Sequence, residues 1–139
     1  MHYDLSRFIN AHRSAFSQAL SEIKKGRKTS HWMWYIFPQI KGLGRSETSL
    51  FYAIKDLGEA QAFLAHDYLG SNLQEITNAL MELDTNDPYA VFAHDAVKLH
   101  SSMTLFAVAS EDGSVFRKVI DKYFNGVLDQ KTLRILSKA

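Results

Sequence analysis

Val115-Phe116-Arg117-Lys118-Val119-Ile120-Asp121-Lys122-Tyr123-Phe124 has the pattern of an amphipathic helix. Its apolar residues come in adjacent pairs repeated every four positions, so they form one stripe of a 3.6-residue helix. Arg117, Lys118, Asp121 and Lys122 fall on the opposite side. Upstream, Asp112-Gly113-Ser114 breaks the chain and supplies a cap; downstream, Asn125-Gly126 is a stop. Asp129 then caps a last helix carrying Leu133, Ile135 and Leu136.

The same signals recur toward the N-terminus. Leu5, Phe8, Ile9, Phe16, Leu20 and Ile23 predict a helix over 5–25, opened by Asp4 and closed by Gly26. His12, between Ala11 and Arg13, falls at a polar position and reads as a surface residue. Leu50, Phe51, Ala53 and Ile54 suggest a helix over 46–54, and Asp56 caps another with Ala60, Phe63 and Leu64. A helix over 67–83 follows, with His66 in a solvated connection before it. Asp84-Thr85-Asn86-Asp87-Pro88 is a turn and cap, since proline suits the first helical position. A short helix through Tyr89, Val91 and Phe92 precedes a longer one over 95–110. Strand signals are few. The expected fold is all-α (mainly α), a single compact domain of about seven helices spanning 1–139.

His31-Trp32-Met33-Trp34-Tyr35-Ile36-Phe37-Pro38-Gln39 interrupts this regularity. It holds both tryptophans and one of the two prolines. Apolar residues fill every position from 32 to 37, so periodicity cannot separate helix from strand. The expectation is a short helix, capped by Thr29 or Ser30 and ended by Phe37, because the residue before proline is pushed out of the α region.

Composition bounds the function. Without cysteine, disulfides, thiol catalysis and thiolate metal sites are excluded, and a reducing compartment fits. The opening Met1-His2-Tyr3-Asp4 does not resemble a signal peptide, and no run reaches the ~18 apolar residues of a membrane span. The expectation is a soluble cytoplasmic protein without membrane contact. The net charge of +1 hides a segregation. Residues 23–46 carry six basic groups (Lys24, Lys25, Arg27, Lys28, Lys41, Arg45) and no acid; residues 56–97 carry eight acids and no Lys or Arg. Either a basic collar surrounds the aromatic stretch, suited to an anion, or the two blocks meet each other or water. Nucleic acid is disfavoured, because basic residues are few and the pI is only about 8.0.

Candidate site residues are those polar groups that stand where the pattern asks for apolar ones. On the helix over 95–110, Asp95, Leu99, Ser102 and Phe106 share a face, with Lys98 and Leu105 on its flank. Charged groups on such an arc are either paired in a structural network, as Asp95–Lys98 at i,i+3, or line a cavity. A Lys98–Ser102 dyad is chemically conceivable, although the spacing matches no serine–lysine signature. His31 is a candidate general acid or base, against a structural bond to a carbonyl. Trp32 and Trp34 are core residues or stacking surfaces, and Gln39 reads an amide or base edge or satisfies the chain around Pro38. Lys41-Gly42-Leu43-Gly44-Arg45-Ser46 is a loop whose amides can face an anion, without a Walker or dinucleotide spacing. No metal spacing occurs; His94 and His100 stand six apart and cannot share a helix face. No metal and no cofactor are expected.

Two stretches carry a resemblance. Ser30 through Gly44, with its Trp-Met-Trp-Tyr-Ile-Phe-Pro-Gln run, and Lys98-Leu99-His100-Ser101-Ser102-Met103-Thr104-Leu105-Phe106 look like the two signatures of the DUF1810 family. Tyr52-Ala53-Ile54, Tyr68-Leu69-Gly70, Phe124-Asn125-Gly126, Asp129 and Thr132-Leu133 extend the likeness over nearly the whole chain. The resemblance implies a mainly helical fold of this length and no established activity. Some members bear a calpastatin label, but calpain inhibitors of that name are long and disordered, unlike this chain. One departure is Ala93, where the resemblance implies glycine after Phe92.

The expected site joins both stretches around one pocket. His31, Asp95, Lys98 and Ser102 are its candidate catalytic residues; Trp32, Trp34, Gln39, Lys41, Arg45, Ser101 and Thr104 are its candidate binding residues. Its ligand would be an anionic small molecule, with a nucleotide or sugar phosphate first, bound or turned over by hydrolysis or group transfer. The competing expectation is an interaction module or homodimer that uses residues 31–39 as its face.

Overall fold

Most of the predicted caps find their helices. A computed structural model describes residues 2–138; Met1, the first residue of the N-terminal stretch above, lies outside them, as does Ala139. The helices are α1 (Ser6–Lys24), α2 (Met33–Ile36), α3 (Glu47–Tyr52), α4 (Leu57–Ala65), α5 (Asp67–Met81), α6 (Pro88–Phe92), α7 (Ala96–Ala109), α8 (Val115–Tyr123) and α9 (Gln130–Ser137). A 3₁₀ turn at Ala93–Asp95 joins α6 to α7. α2 and α6 are single turns, which leaves seven longer helices. Among the described residues no strand forms; one parallel bridge pairs Ile40 with Ile54. Ser46, Asp56, Asp87, Ser114 and Asp129 each accept a backbone N–H in the first turn of the helix that follows. The fold is mainly α and forms one compact domain.

α1 lies along α5, α7 along α8, and α4 and α8 both pack on α5. Phe8, Ile23, Leu69, Leu73, Ile76, Leu99, Met103, Phe106, Phe116 and Ile120 are fully buried between them. The charged and polar stripe of α8 faces out, while its Phe116, Val119, Ile120 and Tyr123 face in. Burial of this apolar surface drives the assembly.

Three local expectations are corrected. His12 is not on the surface: it is 1% exposed, between α1 and α5. Asn72 Nδ2 donates to its Nδ1 (3.1 Å) and its Nε2 donates to the carbonyl of Tyr35 (2.8 Å). The flanking Ala11 and Arg13 concealed this, because a buried histidine with both ring nitrogens bonded loses little by leaving water. His66 is no solvated linker; its Nδ1 accepts the N–H of Leu69 (3.2 Å) and caps α5. Thr29 and Ser30 cap nothing. Their own N–H groups are donors to Glu22, so α2 starts from Trp32 without a side-chain cap.

At Ala93 the backbone has φ 51° and ψ −135°, a region that glycine enters freely and a Cβ resists. The glycine implied by the resemblance would relieve this. Ala93→Gly is expected to stabilise the fold by about 1 kcal/mol, relief of strain exceeding the added unfolded-state entropy. Urea unfolding at neutral pH measures it; a loss of stability would show that the turn is not strained.

Candidate functional site

The aromatic stretch is held in place from below by Glu22. This acid stands fourteen residues after Phe8 on the same side of α1, and it is 4% exposed. Its Oε1 accepts the N–H of Thr29 (2.7 Å), the N–H of Ser30 (2.9 Å) and Trp32 Nε1 (2.9 Å); its Oε2 accepts Gln18 Nε2 (2.8 Å). Burial alone would raise its pKa, but the bonds from Ser30, Thr29, Gln18 and Trp32 hold it well below the usual carboxylate range. Trp32 is thereby fixed in the core, edge-on to Phe92. The single turn of α2 then places Met33 and Ile36 inward and leaves Trp34 and Tyr35 half-buried. Phe37 leaves the helical region before Pro38, as the proline requires.

Opposite α2 stands the start of α7. Asp95 ends the 3₁₀ turn and lies between two lysines: Lys28 Nζ is 2.9 Å from Oδ2, and Lys98 Nζ is 2.6 Å from Oδ1. Burial raises the pKa of Asp95, yet the hydrogen bonds and charges of Lys98 and Lys28 outweigh it and hold the group ionised. Lys28 also donates to the carbonyl of Ser30 (2.6 Å) and sits 5.1 Å from the Trp32 ring. Lys98 Nζ is 4.9 Å from the Trp34 ring, a cation–π distance. The Lys28–Asp95 contact is where the basic and acidic blocks meet.

Between these elements opens a cleft of about 340 Å³, lined by Lys28, His31, Met33, Trp34, Tyr35, Thr48, His94, Asp95 and Lys98. Four expected residues share it: His31, Trp34, Asp95 and Lys98. Lys28, Thr48 and His94 were not among the candidates. The charge segregation was the available signal for Lys28, which among the described residues is the one cation of its block in an ion pair with an acid of the other.

The other candidates lie elsewhere. Trp32 is buried with its indole N–H committed to Glu22 and does not line the cleft. Ser102 is buried without a hydrogen-bond partner, so the Lys98–Ser102 dyad does not form. Ser102 lies a full turn further into the core than Lys98, whose ammonium goes to Asp95. Ser101 Oγ donates to Asp129 Oδ2 (3.0 Å), and Thr104 Oγ1 accepts the N–H of Asp129 (2.9 Å). With Thr132 Oγ1 donating to the same carboxylate (2.6 Å), these hydroxyls dock the start of α9 against α7. Lys41 is exposed beside a separate, broader depression with Tyr3, Arg7 and Phe51, and Arg45 projects into solvent. The loop cations therefore do not converge on the cleft. Gln39 is buried behind Trp34, in a small second cavity.

Among the described residues, no cluster of three or more His, Asp or Glu has the geometry to hold a metal, and no helix is long and apolar enough to cross a membrane.

Comparison with known proteins places this arrangement in a family. No match was found among curated proteins. The crystal structure of the conserved hypothetical protein Rv1873 from Mycobacterium tuberculosis is similar, with 40% sequence identity and a TM-score of 0.94 over 97% of each chain. The model of the family described as protein of unknown function (DUF1810) matches residues 2–136, so the chain belongs to the DUF1810 family.

Proposed function

We propose that the cleft between α2 and the start of α7 binds an anionic small molecule, with a nucleotide or sugar phosphate as the leading class. The observation that carries this reading is the convergence of His31, Trp34, Asp95 and Lys98, from two distant stretches, on one concave volume. Lys28 and Lys98 supply two positive charges and Asp95 one negative charge, so the ion cluster carries a net positive charge for a ligand to neutralise. Lys28 is nearly buried, whereas Lys98, also paired with Asp95, is 28% exposed and so the one of the two that a ligand can reach. Trp34 offers a half-buried aromatic face beside it. If a reaction follows, it is hydrolysis or group transfer. His31 is then the group to carry a proton, because Asp95 is held as a carboxylate between its lysines. The cytoplasm, where such metabolites and reduced proteins coexist, is the compartment that fits.

A partner-binding role for residues 31–39 is the competing reading. Burial of Trp32, Met33, Ile36, Phe37 and Pro38 leaves that face little apolar surface to offer. A thermal-shift screen against nucleotides, sugar phosphates and carboxylates separates the two. A ligand at a hundredfold excess over its dissociation constant is expected to stabilise the fold by ~2.7 kcal/mol. Lys98→Met and His31→Ala are expected to abolish that shift while costing under about 1 kcal/mol of stability, since Asp95 keeps Lys28 as its partner. Stabilising ligands absent across the screen, or shifts that persist in both variants, would remove the cleft as the site.

A further inference from the structure

Behind Trp34 lies a polar group that the fold itself does not satisfy. Gln39 is 7% exposed, and its Nε2 has no hydrogen-bond partner. It borders a narrow cavity of about 10 Å³ with Trp34, Leu43, Gly44, Ser49 and Tyr52. That volume holds at most one water. A buried amide left without a bond is a liability that an apolar side chain of equal length would remove. Backbone contacts do not explain the choice of glutamine, because the main chain of Gln39 already pairs with Ile54 through its carbonyl.

The indole of Trp34 is the shared wall of this cavity and the outer cleft. Its tip rests by Gly44: a Cβ placed there would lie 3.4 Å from Trp34 Cη2 and only 2.6 Å from Ser49 Oγ. Glycine thus lets the loop close against the ring and α3. On the other face, Lys98 holds the ring by its charge. Lys98 is shared between Asp95 and this ring, so a ligand that drew its ammonium away would remove one of the contacts that hold Trp34.

We propose that Gln39 is the inner end of the binding site and takes a neutral carbonyl acceptor, such as the amide or ring carbonyl of a planar ligand, with Trp34 as the movable wall. No cation lines the inner cavity, so a carboxylate or phosphate there would be buried without compensation. The charged end of the same ligand stays at Lys98. The ligand is therefore two-ended, anionic outside and carbonyl-bearing within. This deepens the cleft reading above and rests on it for the anionic end only.

The test uses an isosteric pair of probes, acetamide and acetate, titrated at fixed ionic strength and followed by ¹H–¹⁵N NMR of the full chain. Loss of a cross-peak pair in Gln39→Met assigns the Gln39 side-chain amide. That variant is expected to fold with equal or greater stability, because it removes an unpaired buried donor. Acetamide is expected to shift the Gln39 amide and the Trp34 indole together on a saturable curve, and acetate to leave the Gln39 amide in place. In Gln39→Met, the apparent dissociation constant for acetamide read at Trp34 should rise at least tenfold. An unmoved Gln39 amide, an equal shift with acetate, or a nuclear Overhauser contact to a bound water as the only response overturns the inner subsite. If acetate still perturbs His31 in the parent protein but not in Lys98→Met, the outer cleft survives that failure. If neither probe perturbs either end, both readings fall.

Discussion

Glu22→Ala is expected to lower folding stability by about 2–3 kcal/mol, chiefly the penalty for leaving the buried indole N–H of Trp32 without its charged acceptor. Three donors around residues 29–32 converge on its Oε1: the N–H groups of Thr29 and Ser30 and the indole N–H of Trp32. Alanine leaves the indole N–H unmatched in the core, while the N–H groups of Thr29 and Ser30, at partly exposed positions, turn to water. Glu22→Gln keeps an acceptor oxygen without its charge and should cost about half as much, since charge-assisted bonds are roughly twice as strong as neutral ones. The depressed pKa of Glu22 adds a pH signature. Its stabilisation is fully present above its ordinary value of 4.5 and is lost as pH falls through its lower folded value. Urea unfolding followed by tryptophan fluorescence measures both effects. A loss below about 1 kcal/mol in Glu22→Ala would show that water reaches the indole N–H as well and that Glu22 does not organise the stretch.

The second large effect is acid sensitivity at a higher pH, set by His12. Burial pushes its pKa down from 6.5 to about 4, against the smaller opposing influence of its bond to the Tyr35 carbonyl. Between those values the unfolded chain binds a proton that the folded chain refuses. Stability therefore falls as pH drops from 6.5 toward 4, by roughly 3 kcal/mol over the window. Protonation at Nδ1 would also turn Asn72 from donor to clash, since Asn72 Nδ2 points its hydrogen at that nitrogen. Denaturant unfolding across this range, with NMR titration of the His12 ring, is the measurement. A flat stability profile from pH 7 to 5, or a ring titrating near 6.5, would contradict it. The two windows barely overlap, so the His12 and Glu22 contributions separate on one curve.

Both residues lie on α1, and both were misread or passed over for the same reason. Local pattern places an apolar stripe well but cannot say which polar residues on or beside it have partners arriving from far along the chain. His12 meets Asn72, sixty residues away. Glu22 sits one position before the acid-free block, on the stripe with Phe8 and Ile23, and its polarity there was a readable anomaly. What it satisfies was not readable, because that depends on how residues 29–32 fold back. Ser101, Ser102 and Thr104 illustrate the converse. Only Ser102 was legible on the apolar arc of α7, and it serves no partner, whereas Ser101 and Thr104 serve Asp129 and the docking of α9.

Sequence by itself determined the helices, most of their caps, the mainly α fold and the family. These follow from short-range rules: the 3.6-residue period, side chains that bond their own next turn, and glycine or proline where the backbone demands them. Ala93 was marked as a departure on resemblance alone, and its positive φ supplies the physical cause. Only the tertiary structure decided which polar residues share a space. It brought Lys28 to Asp95 and set Lys98 over Trp34, while it sent Ser102 inward and Arg45 outward. The angles at which α1, α2 and α7 pack fix those distances. Such angles arise from the summed burial of the whole core, a quantity that no single stretch of the chain carries.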